Sequence, residues 1–271
     1  MLTDITLGQF FPGKSLLHRM DPRMKLVLVV AFIVGVFIPS NWYGLAVMLA
    51  VLAVAVACSG LPFSLIMRSI RPILPLVLFT SLINVFYTGG DTVLVEWWVI
   101  KITLEGIFTA VFIALRIVFL IAGSSLLTYT TSPTALTDAI ERLLGPLKLI
   151  RVPVHELAMM MTIALRFIPT LIEETDKIMS AQKARGADME SGGLMQRVRA
   201  LLPVLIPLFV SSFRRAQELA TAMECRCYHG GDGRTRMKQL HLSGVDVVCM
   251  LVMVVAIGGV VALNLLVVPV I

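Results

Sequence analysis

Apolar residues are grouped along this chain in blocks that are separated by short polar segments. The blocks occupy residues 26–38, 42–58, 72–87, 104–127 and 245–271. A helix needs about 20 predominantly apolar residues to cross the roughly 30 Å hydrocarbon core of a bilayer. The pattern therefore predicts an all-α, polytopic membrane protein with about five transmembrane helices. The first two blocks are short, and they fit either a tight hairpin of two short spans or one broken or re-entrant pair.

Between the fourth and fifth blocks, charged positions interrupt the apolar pattern, and residues 154–228 are predicted to form two long helices. The apolar stretches of these helices, 157–165 and 201–210, are too short to span a bilayer. Two prolines, Pro203 and Pro207, also break the second stretch. We therefore predict a cytoplasmic pair of long helices that graze or dip into the membrane and return.

This pattern divides the chain into four segments. They are a polar lead (1–25), transmembrane helices 1 to 4 (26–128), a membrane-surface region that holds the long helices (129–242) and a C-terminal transmembrane helix (243–271). Within the third segment, Ser132 and Gly145 mark the ends of a short amphipathic helix. Residues 88–103 are predicted to be a loop, and its adjacent Trp97 and Trp98 suit an interfacial aromatic belt.

The composition supports an integral membrane protein. Of the 271 residues, 58% are hydrophobic and 15% are charged, and the mean hydropathy is +0.90. Soluble domains carry roughly 25% charged residues, and no separate soluble domain is evident in this chain. The four cysteines are dispersed and suggest no disulfide framework.

The net charge of +6 is unevenly distributed. Of the 23 Lys and Arg residues, 15 lie between residues 131 and 242, and 4 lie in the lead. Because cytoplasmic loops carry an excess of Lys and Arg, we expect the N-terminus and the long helices in the cytoplasm of a multi-pass cell-membrane protein. We expect no nucleic-acid partner, since 11 of the 17 acidic residues are interspersed in the same basic region.

Short motifs in the chain do not assemble into a catalytic or cofactor site. Gly8–Ser15 matches the phosphate-loop pattern, but that pattern needs a preceding strand and an α/β domain, for which there is no room. Cys225, Cys227 and His229 could hold a soft metal, but helix residues two apart diverge by about 200° and no fourth ligand is evident. We predict no catalytic, cofactor-binding or metal-binding residue. Arg116, inside the fourth span, is expected to be a structural tether to a carbonyl or an acid.

Each long helix ends in a similar short motif built around one arginine. Arg185 and Arg226 are 41 positions apart, and an alanine precedes each by four residues. An arginine between small side chains can approach another protein closely and place its planar fork on a carboxylate. Two copies suggest a partner with two equivalent grooves, such as a dimer. The predicted docking residues are Ala184, Arg185, Gly186, Cys225, Arg226 and Cys227.

The lead and the two arginine motifs together carry a family resemblance. The lead residues concerned are Gly8, Phe10, Pro12, Gly13, Ser15, Leu17, His18, Arg19, Asp21, Pro22, Arg23 and Lys25. With these, the whole chain resembles the T component of energy-coupling factor transporters, the EcfT family. The second motif departs from the family pattern, because Cys225 and Cys227 stand where the family has Ala and Gly. The lost glycine leaves the local backbone turn undetermined.

This resemblance implies the membrane scaffold subunit of an ABC-type importer for vitamins or other micronutrients. Two cytoplasmic ATPase subunits, A and A′, would each hold one arginine motif in an acidic groove. ATP-driven closure of the ATPases would change the angle between the long helices. That motion would pass to a substrate-binding S component, which the apolar faces of the long helices would hold. ATP would be bound by the partner subunits, so the chain itself would need no cofactor and catalyse no reaction.

Two other classes of function stay open on the sequence alone. An intramembrane enzyme would need polar groups that face each other inside the spans, and Arg116 and Asn84 are the candidates. A self-contained secondary carrier should show internal repeats of its spans. The repetition in this chain is confined to the two long helices.

Overall fold

The computed structural model of the chain describes residues 10–89, 92–97, 100–187, 193–231, 233, 235 and 240–266. Most of this described part is helical, which confirms the predicted all-α membrane fold. The helices are α1 (Leu16–Arg19), α2 (Pro22–Phe37), α3 (Trp42–Ser59), α4 (Phe63–Ile70), α5 (Leu74–Tyr87), α6 (Leu104–Thr130), α7 (Pro133–Leu143), α8 (Val154–Ala184), α9 (Leu194–Glu224) and α10 (Gly244–Leu266). Short 3₁₀ helices, Arg71–Ile73 and Gly145–Ile150, connect α4 to α5 and α7 to α8.

One short hairpin interrupts the helical architecture, in the segment that the sequence predicts to be a loop. Strands β1 (Val93–Trp97) and β2 (Ile100–Thr103) pair antiparallel, with Glu96 opposite Lys101. The loop prediction is wrong for these residues, because β-branched and aromatic residues favour strands even in a short connection. Trp98, the second member of the predicted aromatic pair, lies outside the described residues.

In the described part of the chain, five helical segments are long and apolar enough to cross a membrane, as predicted. Three of them, α3, α6 and α10, coincide with predicted blocks. A fourth runs from Phe63 to Tyr87 through α4 and α5. The five candidate spans differ from the five predicted ones in two helices. Helix α2 has 16 residues, fewer than the about 20 of a typical span, and is not among them. Helix α8, which we predicted not to cross, is long and apolar enough to do so.

Among these five candidates, α8 is the weakest. Its most apolar window has the lowest mean hydropathy, 1.3, and 6% of that window is buried inside the protein. Its C-terminal half carries Glu173, Glu174, Asp176 and Lys177. Ionised side chains are costly inside a bilayer, so length and overall composition are a weaker argument for α8 than for the other four.

The described residues fall into two compact units. The membrane unit contains those of Gly8–Ala139 and Gln239–Ile271, and thus helices α1 to α6, the hairpin and α10. The long-helix unit contains those of Ile140–Lys238, and thus α8 and α9. The predicted amphipathic helix is present as α7, with the Ser132 hydroxyl accepting a hydrogen bond from an amide of its first turn.

The core of the membrane unit is formed by side chains of α2, α3, α4, α6 and α10. Met48, Phe112 and Val260 are completely buried. Phe32 of α2 packs directly on Gly123 of α6, where an added Cβ would lie 2.5 Å from the phenyl ring. Only glycine therefore allows α2 to approach α6 this closely, and α2 is a packed part of the unit despite its short length.

A polar cluster holds the α2–α3 connection to α6 and α10. The Arg116 guanidinium of α6 donates a 2.6 Å hydrogen bond to the carbonyl of Pro39, which confirms the tether expected for this residue. The side-chain amide of Asn264, near the end of α10, donates to the carbonyl of Ile38 at 2.7 Å. Asn41 caps α3 through a hydrogen bond from Gly44. Helices α2 and α3 are therefore separate helices, and these hydrogen bonds hold the residues that connect them.

A second polar cluster lies at the other end of α2, where the lead meets α10. Asp246 is completely buried in the first turn of α10. Its carboxylate accepts hydrogen bonds from the backbone N–H groups of Asp21 (3.1 Å) and Ser243 (2.7 Å). The Asp21 carboxylate caps α2 and pairs with the guanidinium of Arg23 at 2.6 Å. These bonds fix the start of α2 to the start of α10.

The lead is also bound to the end of α6. The Lys25 ammonium donates to the carbonyl of Thr130 at 3.0 Å, and the N–H of Phe11 donates to the carbonyl of Tyr129 at 2.9 Å. His18 Nε2 lies 2.8 Å from the Phe11 carbonyl oxygen. The lead residues of the family resemblance therefore hold three helices together. Gly8, the first residue of the phosphate-loop match, lies outside the described residues.

Candidate docking site

The first arginine motif lies at the C-terminus of α8. Arg185 is the C-cap residue, and Gly186 adopts a left-handed conformation with φ of 85°. The N–H of Gly186 donates to the carbonyl of Lys183, and the N–H of Ala187 donates to that of Gln182, both at 3.0 Å. This is the Schellman pattern, which satisfies the last carbonyls of a helix. Glycine is favoured at the left-handed position because it has no Cβ.

The second motif, at the C-terminus of α9, repeats these hydrogen bonds 41 residues later. The N–H of Cys227 donates to the carbonyl of Glu224 at 2.8 Å, and the N–H of Tyr228 donates to that of Met223 at 3.1 Å. Cys227 stands in the place of Gly186 and adopts a left-handed φ of 53°. The turn that the sequence left undetermined is therefore formed without glycine.

The two arginines occupy equivalent positions, each directly before the left-handed residue. The backbone N–H of each donates to the carbonyl three residues earlier, at 3.1 Å in both turns. All six predicted docking residues are exposed. Within the described residues, the side chains of Arg185 and Arg226 form no hydrogen bond or ion pair. Both guanidinium groups are thus available to carboxylates of another protein.

Helices α8 and α9 pack antiparallel. The Glu174 carboxylate accepts hydrogen bonds from Ser211 and, at 2.7 Å, from Arg215. Eight residues further along α8, the Gln182 amide donates at 3.4 Å to the carbonyl of Pro203, eight residues before Ser211. The C-termini of antiparallel helices point in opposite directions, so the two motifs lie at opposite ends of the pair. About 25 residues of helix separate them, which corresponds to roughly 38 Å along the axis at 1.5 Å per residue.

Pro203 and Pro207 lie inside α9, and the helix continues through both. The prediction that they break this stretch is wrong. Proline has no N–H, so Pro207 cannot donate to the carbonyl of Pro203, four residues earlier. The Gln182 side chain of α8 donates to that carbonyl instead, at 3.4 Å. Packing between the two helices compensates for the lost helical bond, and a single-helix argument cannot anticipate this.

Contacts of His155 hold the second motif against the start of α8. His155 Nδ1 lies 3.0 Å from Glu141 Oε1 of α7, and its Nε2 lies 3.4 Å from the hydroxyl of Tyr228, which directly follows the motif. Gly231 packs on the imidazole, where an added Cβ would lie 2.2 Å from the ring. The turn that carries Arg226 is therefore positioned by side chains of two other helices as well as by its own backbone.

The six residues predicted to dock are all exposed, but sequence reasoning missed the side chains that position the two helix ends. Glu174 and Arg215 are 41 residues apart, and His155 and Tyr228 are 73 apart. Such separations leave no local pattern. The available signal was weak: Glu174 and Arg215 are opposite charges near the middle of two helices that were already predicted to form a pair.

Replacing Cys227 tests the left-handed turn. We expect Cys227→Gly to protect the backbone amides of residues 223–228 and Cys227→Val to expose them. A left-handed conformation costs a non-glycine residue roughly 1–2 kcal/mol, and a β-branched residue is a poorer fit still. Hydrogen–deuterium exchange of the purified chain, read by mass spectrometry, measures this. Cys225→Val is the matched control, because Cys225 has an ordinary helical φ of −58°. Equal exchange in all three variants would contradict the left-handed turn.

The family model and the relatives that this chain matches are all described as transport proteins. The family model CbiQ, described as a cobalt transport protein, matches residues 13–237, which include both arginine motifs. The energy-coupling factor transporter transmembrane protein EcfT of Ruminiclostridium cellulolyticum is 53% identical over 247 residues, covering 91% of this chain and 92% of its own. The EcfT of Clostridium kluyveri is 54% identical over 258 residues, covering 94% and 96%. The EcfT of Bacillus subtilis is 46% identical over 246 residues, covering 91% and 93%.

Proposed function

We propose a coupling mechanism that starts from one premise: the chain belongs to the CbiQ and EcfT family, the transmembrane components of energy-coupling factor transporters. As such a component, it is the membrane scaffold of an importer. The mechanism concerns how this scaffold receives motion from ATPases and passes it to the subunit that binds the substrate.

The observation that carries the proposal is the pair of matched, exposed arginine motifs at opposite ends of α8 and α9. Two ends that are roughly 38 Å apart along the helices need two separate binding grooves. We propose that two cytoplasmic ATPase subunits, A and A′, each bind one motif. The small residues beside Arg185 and Arg226 let each turn enter a groove, and carboxylates in that groove accept the paired N–H groups of the guanidinium.

The antiparallel packing also supports an orientation of the long helices along the membrane surface. If the pair stood across the bilayer, the two motifs would lie in opposite compartments, and ATPases on one side could reach only one of them. Along the cytoplasmic surface, both motifs are accessible from the same side. The 15 Lys and Arg residues between 131 and 242 favour that side, and the charged C-terminal half of α8 favours the interface over the hydrocarbon core.

Exposed apolar faces on both long helices support a second partner, the S component. Met160 and Met161 of α8 are 54% and 42% exposed. One stripe of α9 is formed by the exposed side chains Leu202, Leu205, Ile206, Phe209 and Phe213. Residues three and four apart lie on one helix face, and flexible methionines suit a surface that accepts several partners. Closure of the ATPases would change the angle between α8 and α9 and move the S component held on these faces.

We propose that the chain is not itself catalytic, that it needs no cofactor of its own and that ATP is bound by the partner ATPases. The two polar residues considered for an intramembrane enzyme already have structural partners. Arg116 donates to Pro39, and the Asn84 amide donates to the carbonyl of Thr80 in its own helix at 2.9 Å. Selection of the vitamin or other micronutrient belongs to the S component on this proposal.

Affinity purification of the full chain from its native membrane tests the proposal. We expect two ABC-type ATPase subunits and at least one small membrane protein to co-purify and to be identified by mass spectrometry. A similarly tagged, unrelated multi-pass protein from the same membrane is the control. Recovery of the chain without any ATPase, under conditions that keep other ABC transporters of that membrane intact, would contradict the proposed assembly.

A further inference from the structure

An apolar cavity with a volume of about 600 Å³ lies between helices of the membrane unit and is open on one side to its surface. Residues of α1, α2, α3, α6 and α10 line it, at the end of the unit where the polar lead packs. Its walls include Leu17, Leu28, Ala55, Leu126 and Val252. Its volume lies within the range of roughly 300–1,000 Å³ that is typical of sites for small organic ligands.

One buried cation lines this otherwise apolar cavity. Lys25 is 6% exposed, and its ammonium donates to the carbonyl of Thr130 (3.0 Å) and the hydroxyl of Thr131 (3.4 Å). An ammonium group has three N–H donors. Among the residues that the structure describes, the Lys25 ammonium has no third hydrogen-bond acceptor, and no carboxylate lies within 4 Å of it. A buried charged donor is unfavourable until an acceptor completes its hydrogen bonds, so a ligand of this cavity should supply an oxygen near Lys25.

We propose that the cavity binds one acyl chain of a membrane phospholipid, with an ester or phosphate oxygen of that lipid accepting a hydrogen bond from Lys25. The site combines the two features that a phospholipid requires, a long apolar space and a single cationic donor. The proposal needs only that this unit is embedded in a membrane. It does not depend on ATPase docking at the arginine motifs.

Water is a poor alternative occupant. A buried water requires two to four polar partners, and apolar cavities stay dry. The polar groups along these walls are few and lie at the Lys25 end, so most of the volume offers water no hydrogen bond. A phospholipid in the bilayer is at high local concentration beside the unit. The acyl chain of that lipid would contact α2, α3, α6 and α10 together, because all four helices line the cavity.

Native mass spectrometry of the full chain in detergent tests the site. The chain is first stripped of lipid and then titrated with dioleoyl phosphatidylglycerol. We expect one lipid to bind well before any others. Cys249→Trp places an indole in the cavity and should weaken this first binding at least tenfold. Val254→Trp, on an exposed position of the same helix that does not line the cavity, is the matched control and should leave it unchanged. Equal binding by the two tryptophan variants would overturn the proposal.

The role of Lys25 is tested separately. Lys25→Met keeps most of the length of the side chain and removes the donor, and it should weaken binding of the first lipid severalfold. Lys14→Met, at an exposed position of the same lead, should have no effect. If both substitutions weaken binding equally, general attraction of the lead to an anionic headgroup explains the data, and the Lys25 contact is refuted.

A measurement on the wild-type chain covers the case in which a tryptophan variant does not fold. A phosphatidylglycerol with a diazirine in one acyl chain is photolysed with the full chain, and the adducts are mapped by peptide mass spectrometry. We expect adducts at cavity-lining positions such as Ala55 and Cys249, together with general labelling of exposed faces. Labelling of exposed faces alone, with none at the lining positions, would overturn the proposal.

Discussion

Charge reversal at either arginine motif is expected to detach the ATPases. In Arg185→Glu or Arg226→Glu, the amount of ATPase recovered per scaffold should fall at least tenfold, and in the double variant it should fall to background. A hydrogen bond to a charged group contributes about 1.5–3 kcal/mol, and 1.4 kcal/mol is a factor of ten in affinity. Each reversal would remove the proposed pair of such bonds and add repulsion from the carboxylates proposed for the ATPase groove. Quantitative mass spectrometry of the affinity-purified complex measures the ratio.

The control for this prediction comes from the same helix. Arg199 is an exposed arginine of α9 outside the motif, and Arg199→Glu should leave the ratio unchanged. Arg226→Lys keeps the positive charge but loses the planar fork, and it should fall between the wild type and the reversal. If both glutamate variants insert normally into the membrane and still recover all of their ATPases, docking through the arginines is wrong.

Asp246→Ala is expected to destabilise the membrane unit by about 3 kcal/mol or more. The carboxylate of Asp246 is completely buried and accepts from the backbone N–H groups of Asp21 and Ser243. Its removal leaves two donors unpaired, at about 1–3 kcal/mol for each. It also removes the electrostatic attraction between the Asp246 carboxylate and the buried Lys25 ammonium. Thermal unfolding of the purified chain in detergent should show a midpoint lower by about 5 °C or more.

Two comparisons make the Asp246 prediction specific. Asp246→Asn keeps one acceptor oxygen and should lower the midpoint by less than the alanine variant does. Val247→Ala, at the neighbouring residue, which is 60% exposed, should have little effect, because it leaves the Asp246 carboxylate and its two hydrogen bonds in place. An Asp246→Ala midpoint equal to that of the wild type would show that the lead is not held by this carboxylate.

Much of the fold could be predicted from local patterns. The apolar blocks identified α3, α6 and α10 because an uninterrupted apolar run of this length is stable mainly as a membrane helix. The two long helices and their terminal arginines were recognised because a helix C-terminus and its following turn are encoded within about six residues. The tether of Arg116 was expected for a similar reason, since a charge inside a span must find a polar partner.

The errors arose where contacts from distant residues outweighed the local pattern. Pro207 should break α9, but Gln182 of α8 donates to the carbonyl that the proline leaves unpaired. Residues 93–103 were assigned to a loop, but their strands satisfy each other's backbone groups as a hairpin.

The two arginine motifs show the same difference between what local sequence patterns predict and what contacts between distant residues decide. The sequence by itself determined that two arginines end two long helices, that small residues flank them and that the chain lies largely in a membrane, because these properties depend on residues close together in the chain. Only the tertiary structure decided that α8 and α9 run antiparallel, that the motifs therefore lie at opposite ends of the pair, and that Cys227 forms the turn that glycine forms at Gly186. Those features depend on packing between residues tens of positions apart, and side-chain packing of that kind leaves no periodic trace in the sequence.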